Sequence, residues 1–365
     1  MQNNNEIKNL RELTELNNYV SKEIDKRLEK FFNLKIAEAK KIDPIYEKLL
    51  LDMKKFIQRG GKRLRPTLML LGYKAAGGTD FEAALDASLS LEIFHNFVLI
   101  HDDVMDGDMT RYGGANMTGV YFKRFKKQLP ENNARHTAEA IAILAGELNE
   151  FFTFEVLTKL DFKKEVIFEM MAHFQKVLFE TGAGQQLDVM SSIRGDLNLN
   201  KIEKVNYYKT AQYTVTSPLQ LGVIAAEGDK KLMNTFADFG AELGKAFQIA
   251  DDLLGMFGSS RQTGKPVGSD IREGKQTLLM YYAKKLASPL EWKAISTRLG
   301  KEHISADDVK LVRSILKECG AQAKAVVAAE DHLQKALGII DKMQIDKDTK
   351  SILIAFSHYC VVRKK

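Results

Sequence analysis

Apolar side chains return every three or four residues along most of this chain. From Ala83 to Asp106, Leu85, Leu89, Ile93, Phe97 and Ile100 keep that period, which puts them on one face of a helix. The stretch Ala140-Ile-Ala-Ile-Leu-Ala-Gly-Glu-Leu148 predicts a buried helix, and residues 163–182, 200–227, 232–257 and 305–341 repeat the habit. Strict apolar–polar alternation, the mark of a half-buried strand, is nearly absent. The six prolines leave 131–217 and everything after Pro289 without a helix breaker. No repeat and no linker divides the chain. The pattern predicts an all-α protein in a single domain.

Composition narrows this further. With 365 residues, 45% of them apolar and 28% charged, the chain has a globular balance and enough apolar surface for a real core. No apolar run approaches the ~18 residues of a membrane span, and the first residues have neither a secretory nor a transit character. Cys319 and Cys360 are too few for a disulfide scaffold or a zinc site, so a cytoplasmic location is the default expectation. A net charge of +6 is made of 54 bases and 48 acids. That mixture gives no argument for nucleic acid and suits an anionic small substrate.

Two acidic clusters stand out. His101-Asp102-Asp103-Val104-Met105-Asp106 closes a long apolar helix, with Asp102 and Asp106 four residues apart on one face. Acids at the C-terminal end of a helix oppose its macrodipole, and three close carboxylates repel one another unless a cation sits among them. Oxygen-only donors favour Mg²⁺. The second cluster, Phe247-Gln248-Ile249-Ala250-Asp251-Asp252, again ends an apolar helix. Two such helix ends predict metal-bearing walls facing each other across a cavity.

Bases complete the chemistry. Gly60-Gly61-Lys62-Arg63-Leu64-Arg65-Pro66 sets three cations behind a glycine turn. Arg111 follows the first acidic cluster, and Lys265, Arg272 and Lys275 come after the second. Metal-binding acids and bases in one chain suit a diphosphate, whose oxygens a metal bridges while cations take the remaining charge. Other patterns fail on spacing. The Gly258–Pro266 stretch is one residue too long for a P-loop and has proline where Ser/Thr is required. The acids at 102–108 lack the alternation of a calcium loop. The basic run Lys123-Arg124-Phe125-Lys126-Lys127 reads as a solvated loop.

Six motifs occur in one order: Gly-Gly-Lys62-Arg63-x-Arg65-Pro66; the DDxxD of 102–106 with Arg111 five residues on; Gly184-Gln-Gln-Leu-Asp188; Lys209-Thr210-Ala211; the FQxxDD ending at Asp252; and the GKPxGxDxxEGKxT of 264–277. From about residue 45 to the C-terminus the chain resembles the trans-isoprenyl diphosphate synthases, the family of farnesyl, geranylgeranyl and longer polyprenyl diphosphate synthases. The resemblance implies a bundle of long helices around a central cavity (the isoprenoid synthase fold), a homodimer, and three Mg²⁺ ions per site. It divides the chain into an N-terminal helical extension, 1–40, and a catalytic domain, 41–365.

Carried over residue by residue, the resemblance gives Asp102, Asp106 and Asp251 to the metals, and Asp103, Asp252 and Asp270 to metal-bound waters. It gives Arg111, Lys209, Lys265 and Lys275 to the allylic diphosphate, and Lys62, Arg65 and His95 to isopentenyl diphosphate. Dipoles at Lys209, Thr210 and Gln248 would face the allylic cation. Phe97, with the smaller Val98 beside it and Phe94 two turns below Asp102, would form the floor of the product tunnel. This pattern resembles geranylgeranyl more than farnesyl diphosphate synthases, with Phe94 as an earlier floor for the farnesyl alternative. Three positions depart from the family: Tyr112 replaces a second arginine, Gly255 a third aspartate of the second motif, and Ser259 another aspartate. The Tyr112 departure keeps a non-catalytic subunit of a heteromeric synthase open as an alternative. A class I terpene cyclase is disfavoured, because Gly255 and Ser259 stand where its second metal motif needs Ser/Thr and Glu.

Overall fold

The computed structural model describes residues 2–195, 197–258, 268–301 and 303–361. Regular structure among them is almost wholly helical, the exceptions being two strands of two residues each. The described residues group into two compact units. One draws on Thr14–Met171 and Ile224–Glu227, the other on Met1–Leu13, Ala172–Val223 and Gly228–Lys365.

In the first unit, the part of α1 (Gln2–Ile42) that follows Leu13 buries Val20, Ile24, Leu28 and Phe32 completely, one side chain per turn. Its other edge is tied by Arg27 to Glu82 and Asp86 at 2.6 and 2.7 Å. Asp43 caps α2 (Pro44–Gln58), whose first residue is proline, a residue suited to a helix start. After α3 (Leu64–Ala75), Asp80 caps α4 (Phe81–Met105) by accepting from Ala83 N. A short hairpin follows, β1 (Thr110–Arg111) with β2 (Gly114–Ala115), then α5 (Met117–Phe125) and α6 (Glu131–Thr158). Ala134, Ala138, Ala142 and Ala145 of α6 are completely buried. Side chains this small let α4 pack closely along α6.

α4 corrects one expectation. By length and average apolarity it passes as a membrane-crossing helix, although 72% of its most apolar window is buried inside the protein. Reading for an unbroken run misses it, because Ser88, Ser90, Glu92, Asn96 and His95 interrupt the apolar positions. Several of these are satisfied locally: Ser88 and Ser90 donate to carbonyls of their own helix, and Asn96 donates to Asn149 of α6. A core helix has this character.

The stretch 200–227, most of which lies in the second unit, is not one helix. α8 (Leu199–Val205) leads into a π-helical segment, Asn206–Thr216, and α9 (Ser217–Ala225) continues from it. Pro218 lacks an N–H and so withholds the hydrogen bond an α-helix would need there. The Ser217 N–H reaches back five residues to the Gln212 carbonyl. Neighbouring helices close on this segment at glycines. A Cβ on Gly184 of α7 (Lys164–Arg194) would stand 2.4 Å from Lys209 N; one on Gly244 of α10 (Lys230–Phe257) would stand 2.2 Å from the Ala211 Cβ. The stretch 305–341 is also divided, into helices Ala306–Glu318 and Ala321–Lys342, because Gly320 takes a φ of +83°.

Candidate active site

α4 delivers the first acid motif. Asp102 and Asp103 lie on its last turn and Asp106 is its C-cap residue, with the Asp106 N–H bonded to the Asp102 carbonyl. The chain then turns at Gly107 (φ +68°) into the β1–β2 hairpin. Tyr112 and Gly113, both with positive φ, form its two-residue turn. That turn sends Arg111 back onto the acids. Its Nε donates to Asp103 Oδ1 at 2.8 Å, and its Nη2 reaches both Asp103 and Asp102. Burial works against the Arg111 charge, yet Asp103 and Asp102 raise its pKa above the ordinary arginine value. Asp103 is buried and committed to this pair.

The glycine turn before α3 is docked on the same hairpin. The Tyr112 ring packs over Gly60, where a Cβ would meet ring carbon Cγ at 3.0 Å. The Arg59 guanidinium donates to the Ala115 carbonyl. The three cations behind the glycines then separate in character. Lys62 is exposed and Arg65 half-buried, whereas Arg63 is turned inward and bonded to Glu92. His95, one turn after Glu92 on α4, is held well below the usual histidine range. Burial of its ring is the main cause, followed by the charges of Arg65, Arg111 and Arg63, and Asp102 opposes them. Its imidazole is therefore neutral at pH 7.

Phe94 and Phe97 are buried with ring centroids 5.6 Å apart, and Phe97 meets the His101 ring edge-on at 4.9 Å. His101 lies against Gly146 of α6 and bonds the Ile143 carbonyl. Val98 is half-buried.

In the second unit, the π-helical segment presents Lys209 and Thr210. Lys209 Nζ pairs with Asp188 of α7 at 2.6 Å. Thr210 donates its hydroxyl to Gln248 Oε1 at 2.6 Å, and the Gln248 amide donates to Asp252 Oδ1 at 2.7 Å. Asp270 comes from the short helix Ser269–Arg272, and Lys275 follows it with an ion pair to Glu273 at 2.8 Å. The Asp252 carboxyl is pushed well above the usual carboxylate range, first by burial and then by Asp270 and Asp251, with Gln248 and Lys275 relieving part of this. Such crowding among oxygen donors suits a hard divalent cation, which restores the ionised form. Lys265 and Ser259 lie outside the described residues.

Two residues of this arrangement escape sequence reasoning. Glu92 carries a signal in being the single acid between Ala87 and His101 of α4. Asp188 lies inside a recognised motif, but only the lysine contact shows what it touches.

The polyprenyl synthetase family model matches residues 47–316. A geranylfarnesyl diphosphate synthase of Aeropyrum pernix is 31% identical over 314 residues, 85% of this chain and 92% of that protein. A geranylgeranyl diphosphate synthase of Sulfolobus acidocaldarius is 29% identical over 84% of this chain and 88% of its own length. Among solved structures, geranylgeranyl pyrophosphate synthase from Corynebacterium glutamicum, complexed with isoprenyl diphosphate and magnesium, matches with a TM-score of 0.89 at 29% identity. That match covers 93% of this chain and 98% of the other. The ordered motifs, the helical fold and these likenesses agree: the chain belongs to the polyprenyl synthetase family and is a short-chain prenyl-transferring enzyme.

Proposed function

We propose that this enzyme condenses isopentenyl diphosphate with an allylic diphosphate and releases geranylgeranyl diphosphate as its main product. The observation that carries the reading is the fixed pairing of acids with bases: Arg111 is locked onto Asp103 and Asp102, and Lys209 onto Asp188. The Corynebacterium relative, solved with isoprenyl diphosphate and magnesium, supports the same ligands here. Asp102, Asp106 and Asp251 would hold Mg²⁺, three ions per site, and Asp103, Asp252 and Asp270 would order the water around them. When bound, the ions supply positive charge that stabilises the departing diphosphate.

The remaining work falls to the chain. Arg111, Lys209, Lys265 and Lys275 neutralise the allylic diphosphate; Lys62, Arg65 and His95 hold isopentenyl diphosphate. The Thr210 proton is committed to Gln248, so the hydroxyl oxygen presents lone pairs and favours an allylic cation without protonating or quenching it. An apolar wall keeps water from that cation. Phe97 forms the floor of the tunnel, with Val98 small enough to let a fifteen-carbon chain reach it. The proton lost after condensation goes to the released diphosphate, so no side-chain base is needed.

We also propose a homodimer. Phe151 on α6 and Phe168, Phe179 and Ile193 on α7 are large apolar side chains left more than half exposed, and apolar surface of this kind is suited to cover by a second copy. Sedimentation should give twice the chain mass, and Phe179→Glu should shift it toward the monomer. Free Cys319 and Cys360 accord with a cytoplasmic location.

The deciding experiment incubates the protein with Mg²⁺, labelled isopentenyl diphosphate and each of the five-, ten- and fifteen-carbon allylic diphosphates, and sizes the products. Twenty-carbon chains are expected. Fifteen-carbon chains move the floor to Phe94, and no product with any primer overturns the catalytic reading.

A further inference from the structure

Arg63 is the one cation of the glycine turn that the diphosphate assignment leaves without a role, and its surroundings explain why. It adopts φ +47°, a left-handed conformation that costs energy in a residue with a Cβ, and it heads α3. Its side chain is only 5% exposed. The guanidinium divides its donors among three elements. Nη1 donates to Glu92 of α4 at 2.7 Å, Nε and Nη2 to Asp25 of α1 at 3.1 and 3.0 Å, and Nη2 to the Ile57 carbonyl of α2 at 2.8 Å. Glu92 is 2% exposed, so each charge of the central pair is buried and depends on the other. Gly61 takes φ +122°, and a Cβ there would stand 3.1 Å from Arg63 Nη1. The glycine turn is thus shaped around this side chain. Arg63 offers no free fork to a substrate.

Its neighbours do face substrate in the proposed reading. Lys62 immediately precedes Arg63, Arg65 follows two residues later, and His95 stands one turn beyond Glu92 on α4. The Arg63–Glu92 pair therefore joins the two segments that carry these groups, and Asp25 ties the joint to α1. We infer that Arg63, Glu92 and Asp25 form an anchor that sets the spacing of Lys62 and Arg65 from His95, making the N-terminal helix part of the frame of the isopentenyl diphosphate site. The anchor acts by position and touches no substrate. This inference rests on the assignment of Lys62, Arg65 and His95 to isopentenyl diphosphate.

The test is steady-state kinetics with each substrate varied in turn. Glu92→Gln keeps the shape and one hydrogen bond but removes the charge. It should raise the KM for isopentenyl diphosphate roughly tenfold, while kcat and the allylic KM stay within about twofold, as a small misplacement of binding groups predicts. A uniform loss across all three parameters, or no change in any, overturns the anchor. Because Glu92→Gln removes a buried charge and risks misfolding, Asp25→Asn is the second variant. Asp25 is 56% exposed, so its loss leaves the core pair intact, and the KM for isopentenyl diphosphate should rise about threefold by the same misplacement. An unchanged value removes α1 from the site. Arg65→Ala separates the two levels. If it leaves the isopentenyl diphosphate KM unaltered, the site assignment fails. If it raises that KM while Glu92→Gln does not, the anchor alone fails.

Discussion

The Asp270 carboxylate stands directly over Gly255, with Oδ2 2.6 Å from the point where a Cβ on that glycine would lie. A methyl group there displaces the carboxylate from the acids of α10. Gly255→Ala should therefore lower turnover about tenfold and raise the Mg²⁺ concentration needed for half-maximal rate, as loss of a fixed polar group does. Magnesium-dependent thermal shift gives a second readout without substrate. An unchanged Mg²⁺ dependence in both measurements would mean that Asp270 takes no part in holding the ions.

Asp102 and Asp103 should separate on stability. Asp103 is buried and takes the main hydrogen bonds from Arg111, whereas Asp102 receives one long contact at 3.4 Å. Asp103→Ala leaves a buried guanidinium short of its partner and should cost about 3 kcal/mol in urea unfolding. Asp102→Ala should cost much less. Both should cut turnover by at least about a hundredfold. Equal stability losses would contradict the pairing.

Tyr112 offers a gain-of-function test. Its φ of +53° strains Arg no more than Tyr, and its phenol is kept neutral by burial and by Glu92. Tyr112→Arg adds a charge-assisted donor beside Arg65. It should lower the KM for isopentenyl diphosphate by about tenfold, the worth of one such bond. A KM that stays put or rises would place Tyr112 away from that substrate.

The acid limb of the stability curve should be set largely by buried histidines. His173, on α7, bonds Ser217 at 3.0 Å, and burial, aided by Lys176, lowers its pKa to about 4. The unfolded chain protonates it near pH 6.5, so the stability it confers is full above that pH and is lost as pH falls toward 4. The loss by pH 4 is about 3 kcal/mol. His95 acts in the same direction. His173→Gln should flatten this limb in a series of melts between pH 7 and 4, and an unaltered slope would show that the ring is solvated.

What the sequence discloses here depends on whether a residue's neighbours are near it in the chain. The placement of Asp102 and Asp106 at the C-terminal end of an apolar helix is legible from local periodicity, and the structure has them there. Lys62, Arg63 and Arg65 read as three equivalent cations. Only a left-handed backbone and partners 29 and 38 residues away turn Arg63 inward. The helical content follows from periodicity. The break at Gly320 does not, because one glycine barely disturbs the period, and the π register of 206–216 depends on Gly184 and Gly244, contributed by other helices.

That π-helical segment also makes chain length, and not only residue identity, a condition of two side-chain contacts. Thr210 reaches Gln248 and Lys209 reaches Asp188 because eleven residues are wound in the wide register between α8 and α9. Deleting any one of them would let the coil tighten to α and rotate one flank relative to the other by about 100°. One flank or the other would then meet α7 and α10 with the wrong face. Substitutions between 206 and 216 should therefore be graded in their effect, whereas a single-codon loss there should break both contacts at once.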